Sequence, residues 1–326
     1  MKRRAIIAAF GGTAVGWPVA ALPQPASMPV VGFLFTEAEA TGGFRTTAFR
    51  KGLEETGFVE GRNVAIEYRW ADGHRERLPA LAADLVQRKV AVICAGNINC
   101  ALAAQAVGGT TPIVFLTAGD PVAEGLVASF NRPGGRATGV RIFSAGLVAK
   151  RLQYLHELVP AATVIGFLVN PGNPTGEDQV RNAEAAATVI GLRLQVVKAS
   201  DERGIDLAFE TLVRDKVAAI AVGADPFFNA QRDRVVGLAA RHRLPAAYEW
   251  RESVEAGGLM SYGTVLADAF RNLGVYTGRI LKGAKLADLP VMQQVKFELV
   301  INAGTAKALG LAMPSLLSAQ ADEVIE

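Results

Sequence analysis

The chain has 326 residues, half of them hydrophobic and a fifth charged, which excludes an intrinsically disordered protein and is ample for a large core. Its 34 basic and 31 acidic residues are interspersed and give a net charge of +3, so no basic stripe indicates a nucleic-acid partner. A chain of this length more often forms two domains than one.

The amino terminus has the order of a secretory signal peptide, which we assign to residues 1–26. Lys2-Arg3-Arg4 precedes a stretch of apolar and small residues from Ala5 to Leu22, and Pro23-Gln24-Pro25-Ala26 follows it. Glycines and a proline interrupt the apolar stretch, which argues against a retained spanning helix. We therefore expect a periplasmic protein whose mature chain does not insert into the membrane. Sec and twin-arginine export both remain open.

Beyond this region strand-like and helix-like patterns alternate, which is typical of a parallel sheet covered by helices. Strands are predicted at 30–35, 64–70, 90–95 and 113–116, with helices near 44–53, 78–86 and 98–107. The fourth strand ends in the polar loop Thr117-Ala118-Gly119-Asp120-Pro121. A helix is predicted from Val122 to Phe130, and a strand from Ala137 to Phe143 leads towards a second lobe.

The second half repeats this order, which predicts two similar lobes. Val164–Val169 matches Val30–Phe35, 217–223 matches 90–96, and 245–248 matches 112–115. Further along, a helix is predicted from Leu266 to Leu281, a strand at 296–301 and a helix at 303–309. We expect an α/β protein of two Rossmann-like lobes with parallel sheets flanked by helices. The predicted lobes comprise residues 27–142 plus 263–290, and 143–262 plus 291–326.

Sheets of this kind bind ligands at the carboxyl ends of their strands, so two facing lobes would enclose a small molecule in a shared cleft. Turn geometry and core packing are alternative explanations for many residues at these positions. The residues at the predicted strand ends, which we expect to bind the ligand, are Thr36, Glu37, Gly96, Asn97, Thr117, Ala118, Gly119, Asp120, Asn170, Asn173, Asp225, Phe227, Tyr248, Glu249, Trp250 and Tyr262.

Three kinds of role are predicted within this set. A polar head group would be held by Thr117, Ala118 and Asn97, because helix starts and hydroxyls suit a carboxylate. An ammonium group would be bound by Asp120 or Asp225 through charge-assisted hydrogen bonds. Aromatic walls would be formed by Tyr248, Trp250 and Tyr262.

The motifs of common catalytic and metal sites are missing from the sequence. It has no G-x-x-x-x-G-K-[ST], G-x-S-x-G, H-E-x-x-H or C-x-x-C motif and no His cluster. We therefore expect no catalytic residues, no metal and no cofactor. Cys94 and Cys100 are the only cysteines, and we expect two buried free thiols, although their order along the chain permits a disulfide.

Several long motifs resemble one family, the ABC-transporter substrate-binding proteins that include tryptophan- and tyrosine-binding members. The motifs are IVFLTAGDPVAEGLVASFNRPGGRATGV, VGADPFFNAQRD, GGLMSYG, YTGRILKGAKLADLPV and KFELVINAGTAKALGLAMP. The resemblance covers the mature chain and implies a type I periplasmic-binding-protein fold, with a hinge of three crossovers. Thr117–Asp120, Asp225-Pro226 and 261–263 match the family, whereas the loop Thr36-Glu37-Ala38-Glu39 departs from the pattern of aromatic amino-acid binders.

The resemblance implies a non-enzymatic, solute-binding component of an ABC importer that closes on its ligand. Its partners would be an ABC permease and ATPase at the inner membrane, and we expect the protein itself to be a monomer. The ligand would be a small molecule, either an amino acid, with aromatic ones among the candidates, or a related carboxylate. A ligand sensor for a membrane signalling kinase and a cleft enzyme on the same scaffold are the alternatives.

Overall fold

The computed structural model describes residues 28–143 and 145–326, and the predicted signal peptide lies outside this part of the chain. Strands and helices alternate from the start, as the sequence patterns predict. The elements of the first part are β1 (Val30–Phe35), α1 (Glu39–Glu55), β2 (Ala65–Trp70), α2 (Leu78–Gln87), β3 (Val92–Ala95), α3 (Ile98–Ala106), β4 (Ile113–Thr117) and β5 (Ala137–Arg141).

The second part repeats this alternation and ends in a more irregular segment. Its elements are α4 (Val148–Leu158), β6 (Val164–Val169), α5 (Gly176–Val189), β7 (Arg193–Lys198), α6 (Glu202–Arg214), β8 (Ala219–Val222), α7 (Pro226–Ala230), α8 (Arg232–Arg241), β9 (Ala246–Tyr248), α9 (Arg251–Glu255), β10 (Met260–Thr264), α10 (Leu266–Leu281), β11 (Met292–Gln293), β12 (Phe297–Asn302), α11 (Ala303–Leu309), α12 (Ser315–Gln320) and β13 (Glu323–Ile325).

These strands form two sheets with equivalent topology. The first has the order β11-β5-β4-β3-β1-β2 and the second the order β13-β12-β10-β9-β8-β6-β7. Val31 of β1 is aligned with Ile66 and Val92 of its two neighbours, and Ile165 of β6 is aligned in the same way with Leu194 and Ala219. Every strand pair is parallel except β10 with β12. The predicted α/β fold with two Rossmann-like lobes is confirmed.

The chain passes between the two sheets three times, after β5, after β10 and after β11. β10 extends to Thr264 within the second sheet, and Met292–Gln293 pairs with β5 in the first. The second crossing therefore follows Thr264, and the third follows Gln293.

Helix α10 returns to the first lobe and packs closely against α1. Gly52 of α1 faces the carbonyl oxygen of Arg271, and Gly274 of α10 faces the carbonyl oxygen of Phe49, so that a Cβ atom at either glycine would overlap the opposite backbone. The aromatic rings of Phe33, Phe35 and Phe270 lie in the core beside these helices. The close approach fixes α10, and with it the residues that α10 contributes to the space between the lobes.

The helix predicted from Val122 to Phe130 is wrong. The amide of Glu124 bonds to the carbonyl of Asp120, which makes one helical turn, but Gly125 then adopts a positive φ of 72°. The amides of Leu126 and Val127 instead donate hydrogen bonds to the carbonyl oxygen of Pro121. Glycine adopts this left-handed conformation without steric cost, which is why an apparently helical pattern ends after one turn.

The two cysteines are buried and free, as predicted. Within residues 28–143 and 145–326, no cluster of His, Cys, Asp and Glu has the geometry to hold a metal ion. In the same ranges, no helix combines the length and apolar character that crossing a bilayer requires.

Candidate functional site

The carboxyl ends of the strands in both sheets face a common cleft. The volume open to the centre of a water-sized sphere is about 60 Å³. Residues of both lobes line it, and several come from the loops that follow β3, β4 and β9. The lining residues are Glu37, Arg45, Gly96, Asn97, Ile98, Asn99, Leu116, Thr117, Ala118, Ile142, Asn173, Thr175, Ala224, Pro226, Glu249, Trp250, Leu266 and Phe270.

The start of α3 forms one polar wall of the cleft. Asn97 caps this helix, because its Oδ1 accepts a hydrogen bond from the amide of Cys100 at 3.1 Å. Its Nδ2 donates to Thr36 Oγ1 at 2.8 Å, so Thr36 lies behind Asn97 and supports it rather than lining the cleft. The first-turn amides of Ile98 and Asn99 have no partner within the helix and carry the positive end of its dipole. This wall suits an anionic group.

A buried ion pair lies beside this wall. Arg45 of α1 is 3.5 Å from Glu37, and both side chains are almost fully buried. The Arg45 guanidinium also lies over the rings of Phe44 and Phe270, at 4.8 and 5.9 Å from their centroids. The sequence analysis did not include Arg45 among the site residues. Its spacing of four and eight residues from Phe49 and Leu53 could have indicated that it lies on the buried face of α1.

The loop after β4 is held together by its own side chains. Thr117 Oγ1 donates to Glu124 Oε2 at 3.0 Å and accepts from the amide of Gly119 at 3.1 Å. Burial raises the pKa of the Glu124 carboxyl, and the Thr117 hydrogen bond partly offsets this. Thr117 and Ala118 line the cleft. Gly119 borders Glu124 and the Thr175 methyl group of the other lobe instead.

Asp120 lies outside the cleft, on the exposed side of the same loop. Its Oδ1 accepts hydrogen bonds from the amides of Val122 and Ala123, at 2.9 and 3.4 Å. The predicted ammonium-binding role of Asp120 therefore has no geometric basis. The sequence could not reveal this, because an aspartate at a strand end serves equally well as a turn cap or as a ligand.

Asp225 is buried but its carboxylate is already used within the second lobe. Oδ1 accepts from Asn170 Nδ2 at 3.0 Å and from the amides of Phe227 and Phe228, and Oδ2 accepts from Asn173 Nδ2 at 2.7 Å. Burial raises the pKa of Asp225, and these hydrogen bonds partly offset the effect. Asp225 therefore caps α7 and organises the loop that carries Asn170 and Asn173. Of these, only Asn173 lines the cleft.

The second lobe contributes its own acidic and basic pair to the cleft. Glu249 follows β9 and lines the cleft, and its buried carboxylate lies 3.8 Å from the fully buried guanidinium of Arg151. Burial lowers the pKa of Arg151, and Glu249 partly offsets this. Nearby on α9, burial raises the pKa of Glu252, and the charge of Arg45 from the first lobe acts in the opposite direction. Opposite charges thus approach the cleft from both lobes.

The three residues predicted as aromatic walls lie in different places. Trp250 lines the cleft, but Tyr248 is buried behind it in the second lobe. Tyr262 packs against Tyr154 and Phe297, with ring centroids 5.3 and 6.4 Å apart, so it is a packing residue of the second lobe. Phe227 lies at the rim, in a groove between the lobes that also contains Asn170.

The remaining walls are apolar and come mainly from the first lobe. They are formed by Leu116 at the end of β4, Ile142 after β5, and Leu266 and Phe270 on α10. The sequence pattern of α10 predicts only a core helix, because Leu266 and Phe270 follow the same spacing as its other buried residues. Charged groups from both lobes, together with apolar side chains in the same cleft, suit a small zwitterion or carboxylate with an apolar body.

Comparison with known proteins agrees with this architecture. The family model described as ABC transporter substrate binding protein matches residues 40–325. A tyrosine-binding protein of Clostridioides difficile (strain R20291) is 26% identical over 263 residues, which are 81% of this chain and 75% of that protein.

Two solved structures share the fold. A conserved domain protein from Vibrio cholerae superposes with a TM-score of 0.84 at 23% identity, over 91% of this chain and 99% of the other. An ABC domain from Streptococcus pneumonia in complex with L-Trp superposes with a TM-score of 0.83 at 24% identity, over 92% of this chain and 100% of the other. Because the family model spans most of the sequence, this chain belongs to the ABC transporter substrate-binding protein family.

Proposed function

We propose that this chain is the periplasmic solute-binding component of an ABC importer, and that it binds an amino acid with an apolar side chain, or a related carboxylate, between its lobes. The family assignment supports a solute-binding role. The tyrosine-binding relative and the structural neighbour in complex with L-Trp make aromatic amino acids the first ligands to test.

The observation that carries the proposal is the arrangement of charges in a cleft whose other walls are uncharged polar and apolar side chains. Each lobe supplies one buried pair of opposite charges, Glu37 with Arg45 and Glu249 with Arg151. Buried charges are costly unless they are paired, so these groups are retained close to the ligand space for a reason other than stability alone. A zwitterion complements such an arrangement, because it presents one charge of each sign.

We assign the ligand carboxylate to Arg45 and to the first-turn amides of α3. A guanidinium has five N–H donors, so Arg45 can serve Glu37 and a ligand oxygen together. We assign the ligand ammonium to Glu249, whose carboxylate lines the cleft and lies 3.8 Å from the buried Arg151 guanidinium. The ligand side chain would then lie among Phe270, Leu266 and Trp250.

Export and partners complete the proposal. The signal-like segment at residues 1–26 would direct the chain to the periplasm, where the mature protein would act as a monomer. It would deliver its ligand to an ABC permease and ATPase at the inner membrane.

Isothermal titration of the purified protein with the twenty amino acids tests the ligand class. We expect binding of one or more amino acids with apolar or aromatic side chains. For an aromatic ligand, 3-phenylpropionate lacks the ammonium and phenethylamine lacks the carboxylate. Each should bind at least about 100-fold more weakly than phenylalanine, because it leaves a buried charge without its partner.

Arg45→Gln tests the carboxylate assignment, and Arg50→Gln is the matched control. Arg50 lies on the same helix but pairs with Glu60 at the surface. We expect Arg45→Gln to lose most of the affinity and Arg50→Gln to retain it. The proposal is wrong if neither an amino acid nor a related carboxylate such as 3-phenylpropionate binds or stabilises the protein.

A further inference from the structure

A second, smaller cavity lies in the second lobe, behind the segment that carries Glu249 and Trp250. We call it the inner chamber and define it by Phe228, Asn229, Arg232, Tyr248 and Trp250. Its volume is about 20 Å³, and one water-sized group needs roughly 10–15 Å³. The chamber therefore accommodates one such group. Glu249 and Trp250 line both the chamber and the cleft, so the two spaces adjoin along this pair.

Three polar side chains of the inner chamber carry buried atoms that no protein group satisfies. Asn229 is only 3% exposed, and neither Oδ1 nor Nδ2 of its amide has a hydrogen-bond partner. The Nε1 of Trp250 and the hydroxyl of Tyr248 are buried and unpartnered in the same way. Buried polar side chains in proteins are nearly always hydrogen-bonded, and burying them without a partner is unfavourable. All three residues line the same small cavity, and the Asn229 amide, with both of its polar atoms unpartnered, indicates that the cavity holds a polar group.

The neighbouring polar groups do not satisfy these atoms. The carboxylate of Asp225 accepts hydrogen bonds from Asn170, Asn173 and the start of α7. Arg232 donates to the backbone carbonyl oxygen of Asn229, at 3.2 Å, and not to its side chain. The Asn229 amide thus remains available on both its donor and its acceptor side.

The chemistry of the lining defines the group that fits. An amide offers a donor and an acceptor, an indole N–H only donates, and a phenolic hydroxyl does either. A partner for the Asn229 amide must both donate and accept hydrogen bonds within the space of one water molecule. A hydroxyl group meets this requirement, whereas a methyl group of similar size does not.

We propose that the inner chamber binds one hydroxyl-sized group that both donates and accepts hydrogen bonds, and that Asn229 is the residue that recognises it. The group comes from the ligand or from a water molecule. If it comes from the ligand, this subsite deepens the proposed function, because the preferred amino acid then carries a hydroxyl on its side chain. Trp250 would form the boundary between the cleft and the subsite.

Matched ligand pairs distinguish the two sources. L-tyrosine and L-phenylalanine differ by one hydroxyl, as do 5-hydroxy-L-tryptophan and L-tryptophan. If the ligand supplies the group, the wild-type protein prefers the hydroxylated member of a pair by about 10-fold or more, because the other leaves the chamber unsatisfied. Asn229→Leu then reduces this ratio to about 1. Asn229→Asp, which keeps the size but removes the donor, is the second variant.

If a water molecule supplies the group, the wild-type protein does not discriminate within a pair, but Asn229→Leu lowers the thermal midpoint of the protein without ligand. Asn131→Leu, at an exposed position in the loop before β5, is the control. The proposal is overturned if the wild-type protein shows no preference for the hydroxylated ligands and Asn229→Leu is as stable as wild type or more stable. In a chamber that holds no polar group, an apolar side chain is more favourable than an amide without hydrogen-bond partners. Failure of every amino acid and related carboxylate to bind would refute the proposed function instead, and the stability comparison would still test the chamber.

Discussion

Arg75 of the first lobe donates a hydrogen bond from Nη1 to the carbonyl oxygen of Gly172 in the second lobe, at 2.6 Å. Its Nη2 lies 3.8 Å from Asp225 Oδ2. This contact spans the rim of the cleft and does not touch the residues that we assign to the ligand. The contact requires the lobes to be this close at the rim, so it favours this arrangement over any in which the two residues are separated.

Arg75→Ala should therefore weaken ligand binding without changing the cleft. The Arg75 side chain is partly exposed, so we expect the lost contact to be worth about 1 kcal/mol, or roughly a 5-fold loss of affinity. X-ray scattering of the ligand-bound variant should show a larger radius of gyration than wild type. Arg77→Ala is the control, because Arg77 pairs with Asp72 inside the first lobe. If Arg75→Ala and wild type bind the ligand with equal affinity, the contact between Arg75 and the second lobe does not contribute to ligand binding.

Asp225→Ala should destabilise the second lobe. The change removes the cap of α7 and takes the acceptor from the buried amide of Asn170, whereas Asn173 keeps the carbonyl oxygen of Ala224. Cap loss costs about 0.5–2 kcal/mol and each orphaned buried group about 1–3 kcal/mol, so we expect a loss near 3 kcal/mol in urea unfolding. Asp120→Ala, at an exposed cap, should cost less than about 1 kcal/mol and leave ligand affinity unchanged. A larger effect at Asp120 than at Asp225 would contradict this interpretation.

Gly274→Ala should separate α1 from α10. Its Cβ would overlap the carbonyl oxygen of Phe49, which is backbone and cannot rotate away. Overpacking of this kind costs about 1–3 kcal/mol or more, and the shift should also weaken ligand binding because α10 carries Phe270 and Leu266. Gly43→Ala on α1 is the control, since a Cβ there meets nothing within 4 Å. It should stabilise the helix by about 0.5–1 kcal/mol. Chemical denaturation measures both.

Glu124 should make stability depend on pH. Burial raises its folded-state pKa above the ordinary value of 4.5, so the folded protein binds this proton more tightly than the unfolded chain does. The associated stability is fully present below pH 4.5 and is lost as pH rises through the raised pKa. Glu124→Gln keeps an acceptor for Thr117 but cannot ionise. Its stability relative to wild type should therefore increase from pH 4 to pH 7, as measured by thermal unfolding.

The exposed Glu54→Gln is the control for this series. Its stability relative to wild type should change less between the two pH values. If the difference in stability between Glu124→Gln and wild type is the same at pH 4 and pH 7, ionisation of the Glu124 carboxyl does not contribute to the pH dependence of stability.

Much of the fold follows from local patterns in the sequence. Val30–Phe35 and Val164–Val169 are both strands followed by helices, and their matching sequences predict the repeated topology that the two sheets show. α10 occupies the predicted range of Leu266 to Leu281. The failed helix at Val122 shows the limit of such patterns, because a single left-handed glycine, Gly125, redirects the chain.

The residues of the candidate site could be predicted from the sequence less completely than the fold. Glu37, Asn97, Thr117, Glu249 and Trp250 line the cleft, as their strand-end positions suggest. Other strand-end residues instead hold loops or pack inside a lobe.

The sequence by itself determined the class of fold, its duplication and the loops from which a ligand site would be built, because strand and helix periodicity are local properties of the chain. Only the tertiary structure decided which of those loop residues face the cleft. Arg45 and Phe270 line the cleft from two helices that are distant in the chain. Asp120 and Asp225 do not line the cleft, because their carboxylates accept hydrogen bonds from their own loops. The direction of a side chain depends on the partners that the complete fold places around it, and those partners are not encoded in the spacing of residues along one segment.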